Sequence, residues 1–193
     1  MKRISFVAVA AVLGLGACGP APETGPVPPR AFTAPLYNAQ GAQVGSVTLT
    51  YVGDSTRVAV QGTSLPAGTH GTHLHTTGRC DAPDFTTAGP HLNPAMRQHG
   101  PRNPAGPHLG DMPNMTVSAG GTGQVSATIL ARGVPGAGPL FDADGTSLVV
   151  HASADDLVTD PSGNSGARIA CAVLAAPAAQ ARAAGTAAPR DAR

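Results

Sequence analysis

Val44-Gly-Ser-Val-Thr-Leu-Thr-Tyr-Val52, then Gly53-Asp54-Ser55, then Arg57-Val-Ala-Val-Gln61: these three pieces decide the fold class. The first has partial two-residue alternation and β-branched content, the last alternates cleanly, and the middle one is a turn. They read as two strands folded back on each other. Working outward, the same criteria give strands at 32–38, 72–76, 115–118, 124–130, 147–151 and 167–174, a set of eight. Pro35 marks the first as an edge, and Gly120-Gly121-Thr122-Gly123 is a hairpin turn between the fifth and sixth. Eight short strands with Gly/Pro-rich connections predict an all-β sandwich or barrel. Three connections are long, at 77–113, 131–146 and 152–166. Loops of that length are uncommon without a function.

Composition excludes several alternatives. The 193 residues suit one domain with appendages. Lys2 is the only lysine and Glu23 the only glutamate, so helix-forming charge pairs are absent and an all-helical domain is excluded. A formal charge of +1 gives no basic stripe for a nucleic acid. With no Trp, four Phe and two Tyr, there is no stacking platform for bases or sugars.

The ends read as address and appendage. Lys2 and Arg3 precede an apolar run from Ile4 to Leu15 that is too short to span a bilayer stably, so residues 1–17 are expected to be a signal peptide. Leu15-Gly16-Ala17-Cys18 resembles the bacterial lipobox, in which a lipid-modified Cys follows the cleavage site. The alternative is an ordinary signal peptide with a chance Cys. Acyl chains on Cys18 would anchor the protein to a membrane. Gly19 rather than Asp after Cys18 points to outer-membrane sorting on the periplasmic side of a bacterial envelope. Residues 18–35, with six prolines, form the expected tether, 36–175 the barrel, and 176–193 an Ala-rich low-complexity tail. Loss of 1–17 leaves ten basic and eleven acidic residues and no lysine.

Setting Cys18 aside leaves Cys80 and Cys171, an isolated pair expected to form a disulfide in an exported protein. Two reduced, buried thiols are the alternative.

All seven histidines lie between His70 and His151. His73 and His75 are two apart on a strand, so both imidazoles point to one face, half of a metal site made in advance. His99, His108 and Asp111 form a second cluster. Nitrogen and oxygen donors without a free thiolate favour Cu(II) and Zn(II). Met96, Met112 and Met115 are expected to pack the loop rather than ligate.

Six segments then stand out in order: Gly71-Thr-His-Leu-His75, Ala88-Gly-Pro-His-Leu-Asn-Pro94, Arg97-Gln-His-Gly-Pro101, His108-Leu-Gly-Asp111, Leu148-Val-Val-His-Ala-Ser-Ala-Asp-Asp156 and Asn164-Ser-Gly-Ala-Arg-Ile-Ala-Cys171. Together they resemble copper/zinc superoxide dismutase. The resemblance implies an eight-stranded Greek-key β-barrel with long metal-binding and active-site loops. It implies one copper ion at His73, His75, His91 and His151. It implies one zinc ion at His91, His99, His108 and Asp111, with His91 shared. It also implies that Asp155 ties His73 to His99, while Asp156 is a surface acid, and that Arg168 docks the anion beside the copper. His70 would be structural, and Cys80–Cys171 would pin the His-bearing loop to the last strand. The implied activity is disproportionation of superoxide to dioxygen and hydrogen peroxide, with His91 passing a proton to the product. A copper-buffering lipoprotein on the same fold is the competing reading. The 152–166 loop is shorter than in familiar eukaryotic members and carries Asp155, Asp156 and Asp160 but no Lys, which leaves Arg168 as the main positive charge near the site. A homodimer stays open, since no barrel face can be assigned to an interface from the sequence.

Overall fold

The computed structural model describes residues 31–52, 55–129 and 140–175. The expected signal peptide, Cys18, most of the tether and the 176–193 tail lie outside the described residues. The strands are β1 Ala31–Asn38, β2 Gln43–Val52, β3 Ser55–Gly62, β4 Gly68–His70, β5 Thr72–His75, β6 Met115–Val117, β7 Gly123–Ile129, β8 Thr146–His151 and β9 Arg168–Ala175, with one short 3-10 turn at Thr86–Ala88. All eight expected strands are present. The ninth, β4, has three residues, too few for alternation to reveal it. β1 begins at Ala31, so it takes in the last five residues of the stretch read as tether; Ala31 is already in register with Thr50 of β2.

The strand order is β4-β6-β7-β3-β2-β1-β9-β8-β5, antiparallel throughout. The two end strands, β4 and β5, follow one another in the chain with only Gly71 between them. The sheet therefore curls into a nearly closed barrel whose seam is crossed by the chain itself. Hairpins of neighbours in sequence combine with long-range neighbours, β3 beside β7 and β1 beside β9, in Greek-key fashion. Pro35 lies where β1 pairs with β2 alone, because β1 meets β9 only at Tyr37 and Asn38. A missing N–H is tolerated at such a locally free edge.

Alternation decides what is inside. In β3, Thr56, Val58, Val60 and Gly62 are buried while Arg57 and Gln61 are exposed. Leu36, Val47, Leu49, Val58, Leu74, Met115 and Leu148 are fully enclosed in one core. Each such aliphatic side chain contributes roughly 1.5–3 kcal/mol of burial. β5 and β8 are buried at every position, because the long loops cover their outer faces.

As an end strand, β5 has a free edge, and the 76–114 loop occupies it. Leu92 N–H donates to Leu74 O at 2.8 Å and Leu74 N–H to Gly110 O at 2.9 Å. Isolated bridges set His91 opposite His75 and Asp111 opposite His73. Edge pairing thus delivers two loop side chains beside the two strand histidines. Gly110 permits the approach: a Cβ there would sit 2.4 Å from Leu74 O. The Cys80–Cys171 disulfide fastens the start of the same loop to β9, across 91 positions of sequence.

Candidate metal centre

His73 and His75 leave β5 on the face opposite Leu74, and there the loops and β8 bring His91 and His151 against them. The ligating atoms of these four lie within 4.8 Å of one another, and all four side chains are buried. In each ring one nitrogen is occupied. His73 Nε2 faces Asp155 Oδ2 at 2.7 Å, His75 Nδ1 the Gly89 carbonyl at 2.8 Å, His151 Nδ1 the Gly166 carbonyl at 3.1 Å, and His91 Nδ1 faces Asp111 Oδ1 at 3.2 Å. The opposite nitrogens, His73 Nδ1, His75 Nε2, His91 Nε2 and His151 Nε2, are buried without a hydrogen-bond partner. Orphaned buried nitrogens are costly. Four together, each with its other nitrogen fixed by a carbonyl or carboxylate, suit a metal ion that prefers imidazole.

The second cluster gathers around Asp111. Its Oδ1 lies 3.2 Å from His91 Nδ1, 3.0 Å from His99 Nδ1 and 3.3 Å from His108 Nδ1, and His108 Nδ1 is 3.5 Å from His91 Nδ1. A tetrahedron with metal–ligand bonds of about 2.0 Å has edges of about 3.3 Å, so these separations fit one small ion. His99 Nδ1 is close to the carboxylate yet outside hydrogen-bond alignment. His73, His91, His99 and Asp111 also have ligating atoms within 4.8 Å of one another, and the His73 ring stacks on His91 with centroids 4.0 Å apart. His108 Nδ1 faces the same Asp111 oxygen, whereas the unpartnered nitrogen of His73 is one of the four in the first cluster. His91 presents one nitrogen to each cluster.

Asp155 spans the two groups. Oδ2 meets His73 Nε2 at 2.7 Å, and His99 Nε2 stands 3.0 Å from both oxygens. Two features not legible in the sequence position this residue. Asn114 Nδ2 donates to Asp155 O, and Asp155 N–H to Asn114 Oδ1, both at 2.8 Å. Gly163, at φ +63°, leaves room: a Cβ would fall 1.8 Å from Asp155 Oδ1. Asn114 belongs to no motif and lies 41 residues away, so only the fold reveals the pair. Asp111 is fixed in its turn, since Oδ2 accepts N–H bonds from Gly100 at 2.8 Å and His108 at 3.0 Å.

Residues 43–174 match the family described as copper/zinc superoxide dismutase. The chain belongs to that family. It is 37% identical over 146 residues to a Cu-Zn superoxide dismutase of Aquifex aeolicus, covering 73% of this chain and 85% of that one. It is 38% identical over 146 residues to the Cu-Zn superoxide dismutase of Caulobacter vibrioides, covering 74% and 84%. Among solved structures it resembles a SOD-like protein from Bacillus subtilis, with TM-score 0.68, 37% identity, and coverage of 74% of this chain and 97% of that one.

In this copper/zinc superoxide dismutase chain, burial dominates the titration of the cluster. Desolvation, reinforced by neighbouring histidines, pushes His91 down to about 4, His151 to about 3 and His75 well below the usual imidazole value. The rings stay neutral and keep their lone pairs free for a metal. Burial alone would raise Asp111 and Asp155, but hydrogen bonds from His91 and Gly100, and from His73 and His99, hold both carboxyls below the ordinary range.

The remaining expected residues separate by role. Arg168, at the start of β9, donates from Nη1 to Phe85 O at 2.6 Å and from Nη2 to Gly89 O at 2.8 Å. Burial pulls the guanidinium below its usual value, partly offset by the Asp84 carboxylate. His70 turns both nitrogens to backbone carbonyls, of His151 at 2.8 Å and Pro66 at 2.9 Å, away from the clusters. Met112 and Met115 are core residues, whereas Met96 is 91% exposed. Asp156 is half-buried and ties its own loop, accepting from Val158 N–H, Thr159 N–H and hydroxyl, and Asn164.

Proposed function

We propose that this chain converts two superoxide anions and two protons into dioxygen and hydrogen peroxide. Copper would be held by His73 Nδ1, His75 Nε2, His91 Nε2 and His151 Nε2. Zinc would be held by the Nδ1 atoms of His91, His99 and His108 with an Asp111 oxygen. The observation that carries the reading is the quartet of orphaned imidazole nitrogens, with the His91 ring also turned towards the second, Asp111-centred set. When bound, copper supplies the one-electron oxidation and reduction that the disproportionation needs.

The protein's own groups supply the rest. Arg168 presents a fixed positive charge near His75 and His151 and attracts the anion. His91 Nε2 would take a proton only when that nitrogen is released from copper, and would return it to the reduced product, while the Asp111 side keeps the ring in position. Asp155 keeps His73 and His99 oriented, so the two donor sets cannot move independently. Export by residues 1–17 and anchoring through Cys18 would place this activity at the bacterial cell envelope. The chain carries both donor sets together with Arg168, which supports turnover over the buffering alternative.

The deciding experiment is metal analysis combined with superoxide disproportionation by the loaded protein. One copper and one zinc per chain with fast turnover supports the proposal. Stoichiometric copper without turnover would establish the buffering alternative.

A further inference from the structure

Asp160 reads in the sequence as another acid of a lysine-free loop. Its surroundings differ from those of Asp156. Asp160 Oδ1 accepts the backbone N–H of His99 at 2.6 Å, and the same oxygen lies 3.6 Å from His108 Nε2. His99 is therefore gripped at both ends by one loop, its ring by Asp155 and its backbone by Asp160. His108 has its Nδ1 in the Asp111 cluster and its outer nitrogen towards Asp160. Asp160, His108 and His91 also line a surface cleft of about 300 Å³ with Thr76, Asn93 and Arg97, so this side of the centre opens to solvent.

We propose that Asp160 is a positioning residue for the second cluster: its carboxylate fixes the His99 backbone and keeps the His108 proton on Nε2, leaving Nδ1 as the donor. The 3.6 Å separation is beyond direct hydrogen-bond length, so the second effect acts through charge or one intervening water. A negative charge facing Nε2 favours the N–H on that nitrogen and leaves the Nδ1 lone pair turned to the cluster. The inference rests on the zinc reading of the Asp111 set.

The test compares Asp160→Asn and Asp160→Ala by zinc competition against a chromophoric chelator across a pH series, with copper content measured in the same samples. Asn keeps an oxygen for the His99 N–H but removes the charge; Ala removes both. The expected result is zinc affinity lowered about tenfold to a hundredfold in Ala and by less in Asn, with copper retained. Zinc release in both variants should begin at higher pH than in the parent. Affinities within twofold of the parent overturn the inference, as does copper lost in step with zinc, which would indicate collapse of the whole centre. A parent chain that takes up no zinc overturns the zinc reading itself and the inference with it; normal parent uptake with unaffected variants overturns the inference alone.

Discussion

His75 and Arg168 are bound to one atom: the Gly89 carbonyl oxygen accepts His75 Nδ1–H and Arg168 Nη2–H, each at 2.8 Å. The proton on Nδ1 leaves His75 Nε2 as the free donor. The same carbonyl sets where the positive charge stands relative to that donor. The metal-facing ring and the anion-attracting group therefore share a support.

Arg168→Ala should lower the catalytic rate constant by about tenfold or more, equivalent to about 1.4 kcal/mol in the barrier. Because a close charge contact is screened less than long-range steering, the parent rate should fall only gently with added salt. Superoxide-flux measurements across ionic strength check both. A steep salt dependence that persists in Arg168→Ala would place the attracting charge elsewhere.

Single donor removals should separate the two ions. His73→Ala should lose copper and keep zinc, whereas Asp111→Ala should mainly lose zinc. Asp155→Ala should weaken both by about tenfold to a hundredfold, since one carboxylate serves His73 and His99. Metal content after dialysis against graded chelator reads all three. Loss of both ions in His73→Ala would contradict the division of donors.

The metal-free domain should lose stability in acid. Burial holds folded His91 near 4 and His151 near 3, whereas the unfolded chain returns them to about 6.5. Between these values the unfolded state binds more protons. The histidine contribution is therefore full above about pH 6.5 and lost as pH falls through the folded values. Thermal midpoints of metal-free protein from about pH 7.5 to 4 should decline; a flat profile would disprove the burial argument.

Reducing Cys80–Cys171 should lower the unfolding midpoint, most strongly without metal, when no ligands help to hold the 76–114 loop. The 91-position separation sets an upper-end effect of roughly 4.6 kcal/mol in the chain-entropy picture. Calorimetry with and without reductant measures it, and an unchanged metal-free midpoint would show that the loop is held by other means.

How much was legible in advance follows from what periodicity and spacing encode. Alternation in 44–52 and 57–61 located β2 and β3, and the histidine spacing singled out the donors that the fold brings together. β4 escaped because three residues carry no period. Asn114 escaped because its bonds to Asp155 are created by packing between distant loops. Asp160 was visible as a charge, but its bond to the His99 backbone was not. Composition weighs a loop's net charge and is blind to which acids are already engaged.

The placement of the 76–114 loop along β5 also bears on colloidal behaviour. Thr72–His75 ends the sheet, and the outward N–H and carbonyl of Leu74 are paired with Gly110 and Leu92 of the loop. An ion held by His91 and Asp111 would clamp that cover shut. Withdrawing it would free the cover to lift and present a bare, buried-type strand to other molecules, the usual template for intermolecular β-pairing. A filled centre would thus keep this strand edge covered as well as serve chemistry.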